Sequence, residues 1–119
     1  NQHTLRTPET QKRYMEYFKN EYDGHCIYCA KELLIKEYEH WVIIDNKFPY
    51  DKIYGKHHQL APKRHVEFEY ELTEEERAEK HVIINKYEVG NYEAMRENFP
   101  DGKSLPEHLH YHLLDDLLV

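Results

Sequence analysis

The sequence contains no run approaching the ~20 apolar residues of a membrane span, and its mean hydropathy is -0.98. The stretch from Asn1 to Tyr14 is polar and lacks the apolar centre of a signal peptide, so a cytoplasmic chain without membrane attachment is expected. Glycine and proline are scarce, at 4 and 5 in 119 residues, and there are no internal repeats or low-complexity tracts. That length fits one compact domain rather than two. Only two cysteines are present, which allows at most one disulfide. A domain of this size buries roughly two-thirds of its unfolded surface and folds without such a bridge, so the pair is a matter of chemistry. Positive charge is also short: 16 Lys and Arg stand against 23 Asp and Glu, for a net charge of -7. Such a field repels a phosphate backbone and argues against extended nucleic-acid binding. A small anionic ligand needs only local donors and stays open.

What the chain has instead is aromatic residues (11 Tyr, 4 Phe and 1 Trp) and 10 histidines. The aromatics are too many for a disordered acidic chain. Thr10 to Phe18 reads as a short helix whose aromatic face (Tyr14, Tyr17, Phe18) docks on the rest of the domain, and Asp23-Gly24 breaks it. Trp41 to Asp45 is a β-branched run of central-strand character, buried on both faces. Asn46 to Gly55 has loop composition, and His58 to Pro62 reads as a strand ending at its proline. Thr73 followed by Glu76 is a capping-box signature. It predicts a helix of about four turns to near Tyr87, with Ala78, Val82 and Ile83 on its inner side and Glu74, Glu75, Glu76 and Glu79 forming a solvated, dipole-favourable start. Tyr92 to Asn98 is ambiguous between helix and strand. Lys63 and Arg64 read as solvated surface, and most of the aromatic supply as packing against the sheet.

Cys26-x-x-Cys29 is a spacing at which two thiolates reach one metal ion from a tight turn, and in an intracellular chain zinc is a common reason for it. With no further cysteine, the remaining ligands of a tetrahedral site should be histidines. His65 and one member of His108, His110 and His112 are the candidates. A thioredoxin-like redox pair needs a preceding βαβ pattern that is missing here. Two reduced cysteines without metal are the plainest alternative.

His108-Leu109-His110-Tyr111-His112-Leu113-Leu114 alternates with period two. Its three histidines share one strand face, about 7 Å apart, and Leu109, Tyr111 and Leu113 share the other. A neutral imidazole is a competent nucleophile toward phosphorus near pH 7, and a neighbouring one can donate to the leaving oxygen. An exposed edge strand or a plain metal-binding tract is the alternative, which the apolar opposite face disfavours.

This segment resembles the His-φ-His-φ-His-φ-φ signature of the histidine triad (HIT) superfamily, where φ is hydrophobic. Ser104-Leu105-Pro106-Glu107 resembles the lead-in of its zinc-bearing dinucleoside-polyphosphate hydrolase and phosphorylase-like branch, and Asn46-Lys47-Phe48-Pro49-Tyr50 that branch's Asn-Lys-aromatic-Pro-Tyr segment. His57 lies eight residues before the histidine of Pro62-Lys63-Arg64-His65, as in the family. Gly24 to Cys29 resembles its zinc half-site, and Glu71 to Glu76 its helix start. The resemblance spans roughly residues 23–114.

The resemblance implies an α+β HIT-like fold with a central antiparallel sheet, one main helix and a short N-terminal helix, divided into a helical extension (1–22) and the HIT-like domain (23–119). Tyr92 to Asn98 then becomes a strand. It implies a nucleotidyl hydrolase or transferase acting on nucleotide phosphoanhydride or phosphoramidate conjugates. His110 would form a nucleotidyl-histidine intermediate, His112 would assist at the phosphate and leaving group, and His57 would complete the cluster. Asn46 would sit by the ribose, with Asn98 and Ser104 near the phosphate or leaving group. A structural Zn2+ would be held by Cys26, Cys29, His65 and His108. The implied partners are a small nucleotide and, by resemblance alone, a second copy of the chain. A zinc-stabilised nucleotide-binding module without turnover and a purely metal-binding protein are the competing readings. Two departures stand out: about three extra residues at Asp51 to Gly55, which alter the nucleoside-pocket loop, and Asp115 to Val119 in place of the branch's Pro-Arg-Trp continuation.

Overall fold

A five-stranded antiparallel sheet organises the chain, in the order β1-β2-β3-β5-β4. The structure, a computed structural model, describes residues 4–103, 105 and 107–119. The strands are β1 (Leu34–Glu37), β2 (Trp41–Asp45), β3 (Tyr54–Pro62), β4 (Ala94–Arg96) and β5 (Tyr111–Leu117). Helix α1 (Pro8–Asn20) precedes the sheet and α2 (Glu74–Val82) lies between β3 and β4. The class is α+β, and no helix among the described residues is long and apolar enough to cross a membrane.

β2 carries the core on both sides. Trp41 and Ile43 pack with Leu60, Leu72, Ile83, Leu109, Tyr111 and Leu113 beneath α2, while Val42 and Ile44 pack with Tyr28, Ala61 and Leu105 on the opposite face. Because strand side chains alternate, the β3 and β5 register puts His57, Gln59 and His112 on the second face, and His58, Leu60, Tyr111 and Leu113 on the first.

Several elements differ in extent from the sequence reading. β3 begins at Tyr54, so the Asn46–Gly55 loop is shorter than its composition suggests; pairing of Tyr54 with Leu117 recruits those residues into the ladder. β5 starts only at Tyr111, and His108 and His110 lie in the lead-in to it. α2 has the expected capping box, with Thr73 accepting from the Glu76 amide and Glu76 accepting from the Thr73 amide. It continues through a π-helical turn at Ile83–Tyr87. Its inner face, however, runs through Glu76 and Ile83, seven residues apart, and Ala78 is exposed. The segment 92–98 does contain a strand, β4, at the sheet edge.

Glu76 is therefore buried, not solvated, at 3% exposure. Arg64 grips its carboxylate through Nε and Nη2, both at 2.9 Å, while the Glu76 carbonyl accepts from Trp41 Nε1 at 2.8 Å. Glu79 likewise accepts from the His40 amide at 2.6 Å, and Lys63 pairs with Glu37 at 2.7 Å. The charges read as plain surface in these two segments join the ends of β1, β2 and β3 to one another and to α2.

Candidate active site and metal centre

Cys26 and Cys29 lie on a tight turn closed by the Ala30 amide on the Cys26 carbonyl. Opposite them, His65 follows β3 and His108 precedes β5. Cys26, Cys29, His65 and His108 form one cluster whose ligand atoms all lie within 4.8 Å of one another. His108 Nε2 donates to the Pro62 carbonyl at 2.8 Å, which leaves Nδ1 as the free lone pair. That Nδ1 is 3.2 Å from Cys26 Sγ, 3.5 Å from Cys29 Sγ and 3.1 Å from His65 Nδ1. A tetrahedral ion with metal–nitrogen bonds of about 2.0 Å and metal–sulfur bonds of about 2.3 Å has N···N edges of about 3.3 Å and N···S edges of about 3.5 Å. The four residues thus match such an ion in donor type and spacing. Burial, and then neighbouring Cys26, push the Cys29 thiol up to about 11, so two thiolates side by side call for a cation between them.

Two residues farther along, the lead-in delivers His110. Its Nδ1 is 2.9 Å from the His108 carbonyl. A carbonyl only accepts, so the proton is on Nδ1 and Nε2 carries the lone pair. His110 Nε2 meets no hydrogen-bond partner among the described residues, and the ring lines the cavity. The ring stacks on Tyr28 with centroids 4.8 Å apart and planes 17° from parallel, and Tyr28 is itself fixed by a 3.0 Å bond from Gln59 Nε2.

His57 and His112 form a relay of defined direction. The Tyr50 amide donates to His57 Nδ1 at 2.9 Å. His57 Nε2 must then hold the proton, which it donates to His112 Nδ1 at 2.8 Å. His112 is left with a proton on Nε2, 3.5 Å from Asn98 Nδ2, a second donor that cannot accept it. Burial, with lesser repulsion from neighbouring histidines and arginines, lowers His57 to about 3 and His112 to about 2; burial also lowers His110 to about 4, with the His108 carbonyl bond opposing it and Lys103 adding a lesser repulsion. All three rings are neutral at pH 7, as the directed hydrogen bonds require. The His110 and His112 rings, with centroids 5.3 Å apart, thus carry a bare nitrogen and an N–H donor respectively.

A cavity of about 350 Å³ opens over these two rings, lined also by Asn46, Asn98, Phe48, Arg96 and Lys103. Asn46 is half-buried, accepts from the Phe48 amide at 2.8 Å and approaches His57 at 3.3 Å. Asn98 accepts from Arg96 Nε at 2.9 Å. Ser104 lies outside the described residues. The structure thus brings together all the candidate histidines in two adjoining groups, with Asn46 and Asn98 on the cavity.

The fold is the one found in histidine triad proteins. No family model and no curated protein matches the sequence. A hypothetical histidine triad nucleotide-binding protein from Sulfolobus tokodaii strain7 superposes with a TM-score of 0.60 at 20% identity, covering 79% of this chain and 70% of that one. A histidine triad protein from Clostridium difficile gives 0.55 at 23%, over 75% and 88%, and a HIT family hydrolase from Clostridium thermocellum 0.55 at 20%, over 90% and 91%.

Residues that the sequence reading passed over also reach the cavity. Tyr28, one of the aromatics expected mostly to pack against the sheet, does pack in the core but also presents its ring to His110. Arg6, Arg96 and Lys103 carry no local signal: Arg6 is an isolated cation in a polar leader, and Arg96 falls in the segment whose periodicity was ambiguous. Contacts across 40 or more residues make the two arginines visible: the 2.8 Å bond from Arg6 Nε to the Phe48 carbonyl and the approach of Arg96 to the Tyr50 ring.

Proposed function

We propose that the protein is a HIT-type nucleotide hydrolase or transferase that cleaves nucleotide conjugates at the α-phosphorus, in a cytoplasmic setting where its thiols stay reduced. The observation that carries this reading is the pairing of opposite tautomers: a bare Nε2 on His110 beside an N–H donor on His112. His110 Nε2 attacks phosphorus, the N–P bond forms, and the bond to the leaving group breaks with its electron pair departing on that group. Positive charge developing on the His110 ring is met by the His108 carbonyl at Nδ1. The His112 N–H donates to a phosphoryl oxygen, and the Tyr50–His57 relay keeps that proton pointing the right way. Water then attacks the same phosphorus. The N–P pair returns to Nε2, one water proton stays on the released monophosphate and the other leaves to solvent.

Cys26, Cys29, His65 and His108 are assigned to a structural Zn2+, which would tie the Cys26–Cys29 turn to the lead-in of β5. Asn46 is assigned to the ribose and Asn98 to the phosphate or leaving group. The test is mass spectrometry after mixing with a panel of adenylyl and guanylyl conjugates. A nucleoside-monophosphate adduct on His110, lost together with turnover in His110→Ala, is the expected result. Nucleotide binding with neither adduct nor product would make the protein a binding module, and no nucleotide interaction at all would leave metal binding alone.

A further inference from the structure

The loop that departs from the family pattern, around Asp51, is the dock for the segment that precedes α1. Asp51 accepts from the Thr7 amide at 2.9 Å, from Thr7 Oγ1 at 3.2 Å and from Thr10 Oγ1 at 2.5 Å. The Lys52 amide donates to the Leu5 carbonyl at 3.1 Å. These bonds hold the segment before α1 against the cavity, which Thr4, Leu5 and Arg6 line. The Arg6 guanidinium lies 4.3 Å from the centroid of Tyr14 and 5.2 Å from that of Tyr50. Arg96, from edge strand β4, lies 5.7 Å from the same Tyr50 ring.

Both arginines are held in the same way. Arg6 spends Nε on the Phe48 carbonyl and Arg96 spends Nε on Asn98 Oδ1. In neither case do the terminal nitrogens meet a carboxylate among the described residues. Two guanidinium groups facing the same aromatic ring, each with no hydrogen bond from its outer N–H groups among the described residues, form an anion receptor, since that planar fork fits phosphate oxygens two at a time. Lys103 adds a third cation, its side chain only 5% exposed and its nearest carboxylate, on Glu97, 3.8 Å away. Of the carboxylates on the cavity, Glu32 is engaged by His25 and Asp45 accepts from the Asn46 amide at 2.8 Å. Tyr50 lies 5.2 Å from His112, centroid to centroid, so the receptor adjoins the reacting pair.

We infer that Arg6 and Arg96 clamp a second anionic group of the substrate across Tyr50, so that the site selects phosphoanhydride conjugates over those whose leaving group is uncharged. The inference rests on the nucleotidyl-transfer reading above. It makes the N-terminal segment part of the active site, and it gives the extra loop residues a purpose, with Asp51 as a positioning residue.

The test compares kcat/KM for diadenosine tetraphosphate and for adenosine 5′-phosphoramidate in the full chain and in Arg6→Gln, Arg96→Gln and Asp51→Asn. Each arginine variant is expected to lower kcat/KM for the tetraphosphate by about 10- to 100-fold, the range for losing hydrogen bonds to a charged group, while the phosphoramidate changes by less than about threefold. Asp51→Asn should shift the same ratio, whereas a merely structural role would depress both substrates alike. Equal losses on both substrates, or no loss on either, would overturn the clamp. Should the parent protein turn over neither compound, the hydrolase reading fails, and calorimetry with inorganic pyrophosphate decides the clamp separately: weaker binding in the two arginine variants sustains it, and unchanged binding refutes it.

Discussion

His57 Nε2 donates to His112 Nδ1 across 2.8 Å, with the Tyr50 amide fixing the direction from behind. The relay turns two buried neutral imidazoles into one oriented N–H donor. Replacing His57 by Ala frees His112 to exchange tautomers and to rotate. Nucleotide-conjugate turnover should drop by roughly 10²-fold, the lower range for a positioned acid or base, while metal content stays that of the parent protein. Steady-state kinetics beside metal analysis checks both, and undiminished kcat would show that the relay plays no part.

The same pair predicts a pH dependence of stability. Burial lowers both rings far below their ordinary value of 6.5. Below that value the unfolded chain binds protons that the folded one refuses, so stability is fully present above pH 6.5 and declines as pH falls toward the folded values. The slope approaches about 1.4 kcal/mol per pH unit for each histidine in the window. Denaturant midpoints measured between pH 7.5 and 5 should fall progressively, and less steeply in His57→Ala.

At the other face of the sheet, Glu76 links β2, β3 and α2. The Arg64 guanidinium lowers its carboxyl to about 2, so its contribution is present above the ordinary 4.5 and is lost as pH falls through that window. Glu76→Gln keeps the shape and removes the charge. A cost of roughly 1–2 kcal/mol is expected, discounted because Arg64 is half-exposed to solvent. Thermal unfolding at pH 7 measures it, and the variant should converge with the parent protein near pH 2.

Cys26→Ser removes a ligand from the four-residue cluster. Under the proposed zinc assignment, metal content should be lost and stability should fall by more than about 3 kcal/mol, because structural metal ligation contributes folding energy directly. A chelator should reproduce the effect in the parent protein but add nothing in the variant. Elemental analysis with a melting curve reads both, and a variant that keeps its metal would refute this ligand set.

Much of this was legible in the residues. Period-two spacing puts Leu109, Tyr111 and Leu113 into one core and His110 and His112 on the other face, even though the ladder itself begins only at Tyr111, since an extended lead-in alternates just as a strand does. The capping box at Thr73 and Glu76 is local chemistry and fell where its pattern placed it. Ala78 shows the limit: its hydrophobicity suggested an inner position, but the partner offered by Arg64 drew Glu76 inward and turned the helix accordingly.

Residue types and short spacings therefore specified which groups exist and which faces they share, because those depend on bonds between near neighbours along the chain. Which imidazole nitrogen holds a proton was settled elsewhere, by carbonyls and amides that folding brings alongside: Pro62 for His108, Tyr50 for His57. The same is true of Arg6 and Arg96, 90 positions apart in number yet facing one tyrosine ring. No local pattern encodes such a meeting, since it depends on a loop at Asp51 capturing the chain that leads into α1.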